Sequence, residues 1–132
     1  MRVLQIQTKA RQVLVDVTAE LQSEVQKSGI EAGLMVVYIP HTTAGVTINE
    51  NADPSVRHDI LADLDRLAPG SQSYYRHGEG NSAAHLKASL MGSSVLVIIE
   101  EGRLALGTWQ GVYLAEFDGP RTRKIFIEFL NQ

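Results

Sequence analysis

The 132-residue chain is 44% apolar and 20% charged, close to globular averages, which excludes a disordered tail or a fibre. Twelve basic against fifteen acidic residues leave a net charge of −3, which argues against a nucleic-acid module driven by phosphate neutralisation. Cysteine is absent, so disulfides, thiolate metal sites and cysteine nucleophiles are excluded, and no apolar run approaches the roughly 18 residues that cross a bilayer.

The amino terminus, MRVLQIQTKA, alternates apolar and polar residues and lacks the apolar block of a signal peptide, so a cytoplasmic location with no membrane partner is expected. Leu4 and Ile6, then Val13, Val15 and Val17, predict two half-buried strands joined by a polar turn around Lys9 to Arg11. Thr18 is placed to cap a helix carrying Leu21 and Val25 and closed by Gly29. Leu34 to Ile39 has no helical period and stops at Pro40, which predicts a central strand, and Val46 to Asn49 predicts another. Asp53-Pro54 is the clearest helix start, because Asp accepts from free amides and Pro needs no donor at the first position. Its apolar face runs from Val56 through Ile60, Leu64 and Leu67 to the stop at Pro69-Gly70. Asp63 falls on that stripe and Asp59 beside it. Ser71 to Asn81 is polar and aperiodic, and a loop that long in a compact domain tends to be functional. Asn81 or Ser82 caps a further helix with Leu86 and Leu90 on its apolar face, ended by Gly92. Strands follow at Val95–Ile99, Arg103–Leu106, Val112–Phe117 and Lys124–Leu130, punctuated by glycines at short intervals. The expected fold class is α+β: a mostly antiparallel, β-sandwich-like sheet with two or three helices in a single domain over residues 1–132.

The chemistry-bearing side chains gather beside helix starts. HTTAGVTINENADP holds His41, Asn49, Glu50 and Asp53; Asp53 already serves as a cap, whereas His41 emerges at a strand end, where site residues commonly sit. RHGEGNSAAH is the stronger segment. His77 and Glu79 flank a glycine, Gly80 permits close backbone approach, and His85 falls about one turn inside the next helix. This set is compatible with proton transfer by histidine and carboxylate, and with a divalent ion held by His41, His77 and His85. It is equally compatible with a phosphate held by helix amides and Arg76 or Arg121. The spacing does not choose among them, and loop histidines without partners are the plain alternative. His58 projects away from the apolar stripe and reads as a solvated residue. Trp109 in GTWQ reads first as core or interface, although its glycine neighbours and Gln110 also suit a pocket wall. Arg121 and Arg123 share a strand face and suit either acids or a phosphate.

Taken in order, HTTAGVTINENADPSVRHD, HGEGNSAAH and GRLALGTWQGVYLAEFDGPRTR resemble the YjbQ-like family, also called the secondary thiamine-phosphate synthase family, over Lys9 to Phe129. The resemblance implies an α+β homotrimer with sites between subunits and a weak thiamine-phosphate synthase activity. Carried over by motif, it implies His77, His85, Asp59 and Glu79 as catalytic residues. It further implies His41, Asn49 and Gln110 as substrate-binding residues, to which the helix-start reading adds Asn81 and Arg121 as phosphate holders, with His41, His77 and His85 as ligands of any zinc or magnesium ion. Two positions depart from the commoner pattern. Thr43 replaces a frequent Ser, and Glu100-Glu101 stands where a proline-containing turn is usual, which brings an acidic pair toward the expected site. Three functions follow as expectations. The first is a synthase acting on phosphorylated pyrimidine and thiazole substrates. The second is an enzyme on another phosphorylated metabolite. The third is a non-catalytic trimeric phosphate-binding or scaffold protein, whose interface would use the alternation of Ile125, Ile127 and Phe129.

Overall fold

Period-two patterning at both ends of the chain produces strands that meet across the whole sequence. A computed structural model describes residues 1–132. In chain order it contains β1 (Arg2–Gln7), β2 (Val13–Asp16), α1 (Thr18–Ser28), β3 (Gly33–Tyr38), β4 (Ala44–Glu50) and α2 (Pro54–Leu67). There follow α3 (Ser82–Met91), β5 (Ser94–Glu100), β6 (Arg103–Leu104), β7 (Gln110–Glu116) and β8 (Thr122–Asn131). One sheet has the order β1-β8-β3-β5-β6 and the other β2-β7-β4. Every pairing is antiparallel, so the α+β, sandwich-like expectation holds. β1 and β2 follow one another in sequence yet enter different sheets.

The main core lies between the sheets, where Met35 and Val37 of β3, Ile125 and Ile127 of β8, Val46 of β4 and Leu114 of β7 interlock. Val17, Leu21 and Val25 bring α1 against the same core. A second cluster joins Leu14, Tyr113, Ala115 and Phe117 on the other face of the smaller sheet to Ala84 and Ala88 of α3, with Ile60, Leu61 and Leu64 of α2 packed on it. Helices α2 and α3 therefore cover the smaller sheet. The outer face of the larger sheet has no cover within the chain.

Several local expectations are corrected. Val17, not Thr18, is the cap position of α1; Asp16 accepts the Thr18 amide at 2.9 Å and its hydroxyl at 2.6 Å, because Thr18 Oγ1 is also needed as acceptor for the Val112 amide. Leu86 and Leu90 are exposed, and the packed face of α3 is Ala83, Ala84, Lys87 and Ala88. The reason is close approach: a Cβ on Gly45 of β4 would stand 2.6 Å from the Gly92 carbonyl, leaving room only for small side chains. Ile125 and Ile127 are in the core, so the strand alternation serves the interior and not an interface. Asp53 accepts from the Ser55 amide at 2.9 Å, as its capping role requires.

Candidate functional site

The expected site residues separate into groups at different places on the fold. Strand β3 ends at Tyr38, and the following turn delivers His41 to the edge of a cleft of about 490 Å³. The opposite wall is the flank of α3, with His85, Ala88 and Ser89, and the floor includes Ala44 and Gly92. His77, on the loop before α3, sets its ring edge-on to that of His85 with centroids 5.2 Å apart, and Glu79 stands 4.0 Å from His77 Nε2. This brings His41, His77, Glu79 and His85 to one end of the molecule.

Asn81 at the start of α3 and Arg121 in the turn before β8 are both engaged by Asp118. Asn81 Nδ2 donates to Asp118 at 2.8 Å, while Arg121 donates to the Asp118 carbonyl at 2.9 Å and to its carboxylate at 3.1 Å. Asn81 makes no side-chain bond to the first-turn amides of α3, and its Oδ1 is buried with no donor. The expected helix-amide anion site thus adjoins the cleft without lining it; His85 is the helix residue that reaches the cleft wall.

Asn49, Asp59 and Gln110 are not brought to the histidines. Glu50 pairs with Gln110 at the far end of β4 and β7, whereas Ala44 and Glu116 mark the His41 end. At about 3.3 Å per residue the seven-residue strand separates those ends by about 20 Å. Asn49 Oδ1 accepts from the Glu50 amide at 2.7 Å, and Gln110 Oε1 accepts from the Gly107 amide at 2.8 Å. Asp59 is 77% exposed on α2 with His58 as its one close partner at 3.0 Å, and Asp63 is likewise solvent-facing. The apolar stripe of α2 therefore does not carry a buried carboxylate. Trp109 is also exposed within the chain. Glu100 ends β5 and Glu101 sits in the β5–β6 turn, where the Gly102 amide donates to the Glu31 carbonyl. Because β5 runs antiparallel to β3, that turn is at the opposite end of the larger sheet from His41, and the acidic pair does not face the cleft.

His41 Nε2 accepts a hydrogen bond from the Lys124 amide at 2.9 Å. Burial, and after it the Arg123 guanidinium, hold His41 below the ordinary histidine value, so the ring is neutral at pH 7. No three His, Asp or Glu side chains of the chain converge closely enough to hold a metal ion. One ring nitrogen of His41 is already committed to the Lys124 amide, which leaves Nδ1 as its free nitrogen.

Two buried charged residues, Glu116 and Lys87, escaped the sequence reading, and Arg123 takes the acid-pairing role expected for it. Glu116 and Arg123 pair in the interior beneath His41, and Lys87 of α3 is buried against Asp65 and Gln12. The signals were present: Glu116 ends an uninterrupted apolar strand, and Lys87 lies at helical spacing from Ala83 and Ala84.

Comparison with known proteins covers the whole of this architecture. The family described as "UPF0047 protein YjbQ-like" matches residues 2–132. UPF0047 protein YugU of Bacillus subtilis is 51% identical over 130 residues, 98% of each chain. UPF0047 protein MJ1081 of Methanocaldococcus jannaschii is 51% identical over 126 residues, 96% of this chain and 91% of the relative. A crystal structure of a YjbQ/UPF0047-family protein from Clostridium acetobutylicum, 52% identical, superposes with a TM-score of 0.95 over 98% of this chain and 100% of its own. A conserved hypothetical protein from Thermus thermophilus, 42% identical, gives 0.93 over 98% and 100%.

Proposed function

The chain belongs to the YjbQ-like UPF0047 family, and on that premise we propose that it binds small phosphorylated substrates in the His41–His85 cleft and acts as a weak thiamine-phosphate synthase. The observation that carries the reading is that His41 and His85 line one cleft of about 490 Å³, large enough for a phosphorylated heterocycle, with the His77 ring set against that of His85. The reaction joins a pyrimidine diphosphate to a thiazole phosphate and releases pyrophosphate. Its demand on the protein is to offset charge that collects on the departing diphosphate. Imidazole N–H donors of His77 and His85 serve that purpose, with Glu79 orienting His77. Arg121 joins them when it exchanges Asp118 for a phosphate oxygen, and Asn81 does the same from the start of α3.

Asn49, Asp59 and Gln110 take part through assembly. A homotrimer in which the far end of one subunit meets the histidine end of the next unites the two groups, and the open apolar face of the larger sheet supplies contact surface. A divalent ion, if bound, would sit where His77, His85 and a carboxylate of the neighbouring subunit meet, and would supply charge neutralisation of the diphosphate.

The test uses purified full-length protein with both phosphorylated substrates and follows thiamine phosphate and pyrophosphate together. Equal amounts of both products are expected from the wild type, with at least about a hundredfold loss in His85→Ala and His77→Ala. A variant rate equal to wild type would assign the product to a contaminating synthase and overturn the reading. Pyrophosphate binding without turnover on either substrate would instead support a phosphate-binding module, and turnover of another phosphorylated heterocycle far above this pair would move the substrate and keep the site.

A further inference from the structure

The turn that carries His41 is tied from beneath by a buried ion pair. Glu116 accepts Arg123 Nε at 2.9 and 3.1 Å as well as an Nη2 bond, and it also accepts the Thr8 hydroxyl at 2.7 Å and the Asp118 amide at 3.1 Å. The same Arg123 Nη2 donates to Thr43, at 2.8 Å to Oγ1 and 3.2 Å to the carbonyl. Thr43 is two residues from His41, and the residue after Arg123, Lys124, is the one whose amide donates to His41 Nε2. Both sides of the His41 contact are thus anchored on one guanidinium. A buried pair of this kind adds little net stability over apolar residues of the same volume, but it fixes direction, because guanidinium and carboxylate meet in one geometry.

An imidazole nitrogen that accepts an N–H keeps its lone pair there, so the proton of the neutral ring is on Nδ1. Nδ1 has no partner within the chain. It is not a buried orphan either, since Asn81 Oδ1 is the one such side-chain atom, so Nδ1 is open to solvent on a residue that lines the cleft. We infer that Glu116, Arg123 and Thr43 are positioning residues that hold His41 as a fixed Nδ1–H donor to an acceptor oxygen of a phosphate or pyrophosphate in the cleft. The inference rests on the cleft being the phosphate site, and it makes His41 an anion donor instead of a metal ligand.

Nitrogen-15 chemical shifts of the histidine rings, read in the full-length protein without ligand, test the first half. A protonated Nδ1 and a bare Nε2 on His41 are expected; an Nε2–H ring would overturn it. Inorganic phosphate added to the same sample is expected to shift His41 Nδ1 together with His85. Shifts at His77 and His85 that spare His41 would defeat the donor role and leave the cleft reading intact. Phosphate that moves none of the three would sink the cleft reading, and the donor role with it. Thr43→Val should mix the His41 tautomers and weaken phosphate binding about three- to tenfold while circular dichroism stays unchanged, with Thr43→Ser restoring both. Arg123→Lys, which keeps the charge but loses the fork, should show the same tautomer mixing. Wild-type tautomer and affinity in Thr43→Val and Arg123→Lys alike would remove the positioning role.

Discussion

Lys87 carries its charge to a place where 1% of the residue meets solvent, and it survives there because its ammonium donates to Gln12 Oε1 at 2.8 Å and to the Asp65 carboxylate. The bond from Lys87 holds Asp65 below the usual carboxylate range, outweighing the cost of its partial burial. Asp65→Asn keeps the shape but leaves a buried cation among neutral acceptors, and it should cost about 1–3 kcal/mol in urea unfolding at pH 7. Lys87→Met should be near neutral, because apolar replacement of a buried charge avoids its desolvation. Acid should act through the same kind of group. Glu116 is pushed up by burial, yet the bonds from Arg123, Thr8 and the Asp118 amide prevail and its folded value lies below the ordinary 4.5. For Asp65 and Glu116 the stabilisation is therefore full above the unfolded values, 3.8 and 4.5, and is lost as pH falls through the lower folded ones. His41 shares this sign, since its folded value lies below 6.5, and its contribution fades first as pH drops beneath 6.5. Unfolding free energy should accordingly decline from about pH 6.5 and more steeply below about 4.5, with His41→Gln removing the upper part. A wild-type profile flat from pH 7 to 5.5 would contradict the His41 component.

At the level of elements, the contact between α3 and β4 decides whether the cleft has its shape. A Cβ on Gly45 would meet the Gly92 carbonyl at 2.6 Å and Met91 Cβ at 3.1 Å, and neither can retreat while Val46 donates to that carbonyl at 3.0 Å. Gly45→Ala must push the helix off the strand, so a loss of about 1–3 kcal/mol in thermal unfolding is expected, together with weaker pyrophosphate binding at temperatures where the variant is folded. Unchanged affinity would mean that the His41–His85 spacing does not matter. This contact also marks how far the sequence can be read. The α2 start was legible because Asp53, Pro54 and Ser55 form its cap among themselves, and β3 because its apolar run ends at a proline. The buried face of α3 was not, since Leu86 and Leu90 are its largest apolar residues and the reason for burying alanines is a glycine on another element. The site shows the same division. The histidine-bearing segments stood out by composition, but that Asn49 and Gln110 lie at the opposite end of their strands depends on the β4–β7 register, which no local pattern encodes.

The whole molecule leaves one face unsatisfied. On the outer side of the larger sheet, Val3, Tyr38, Leu96, Ile98 and Leu130 are exposed, Leu96 and Ile98 by 62% and 60%, and cross-strand pairing places them together with Leu34, Val36 and Phe126. Apolar surface gathered on one sheet face is costly to leave in water, and a second and third copy of the same face can remove it. Leu96→Glu would introduce charge at the middle of this surface without touching the histidine cleft. Sedimentation is expected to report trimers for the wild type and monomers for the variant, with circular dichroism retained and the proposed synthase turnover lost. The loss of turnover is the informative part, because it is expected if Asn49, Asp59 and Gln110 reach the histidines of another subunit. Mixing separates that explanation from simple destabilisation. His85→Ala and Gln110→Ala subunits, each inactive alone, should recover turnover when dissociated and reassembled together, since about a quarter of randomly formed sites in a cyclic trimer then combine two intact halves. Without recovery in mixed trimers, the histidine end and the far end of the smaller sheet would have to act independently, and the shared site would be abandoned.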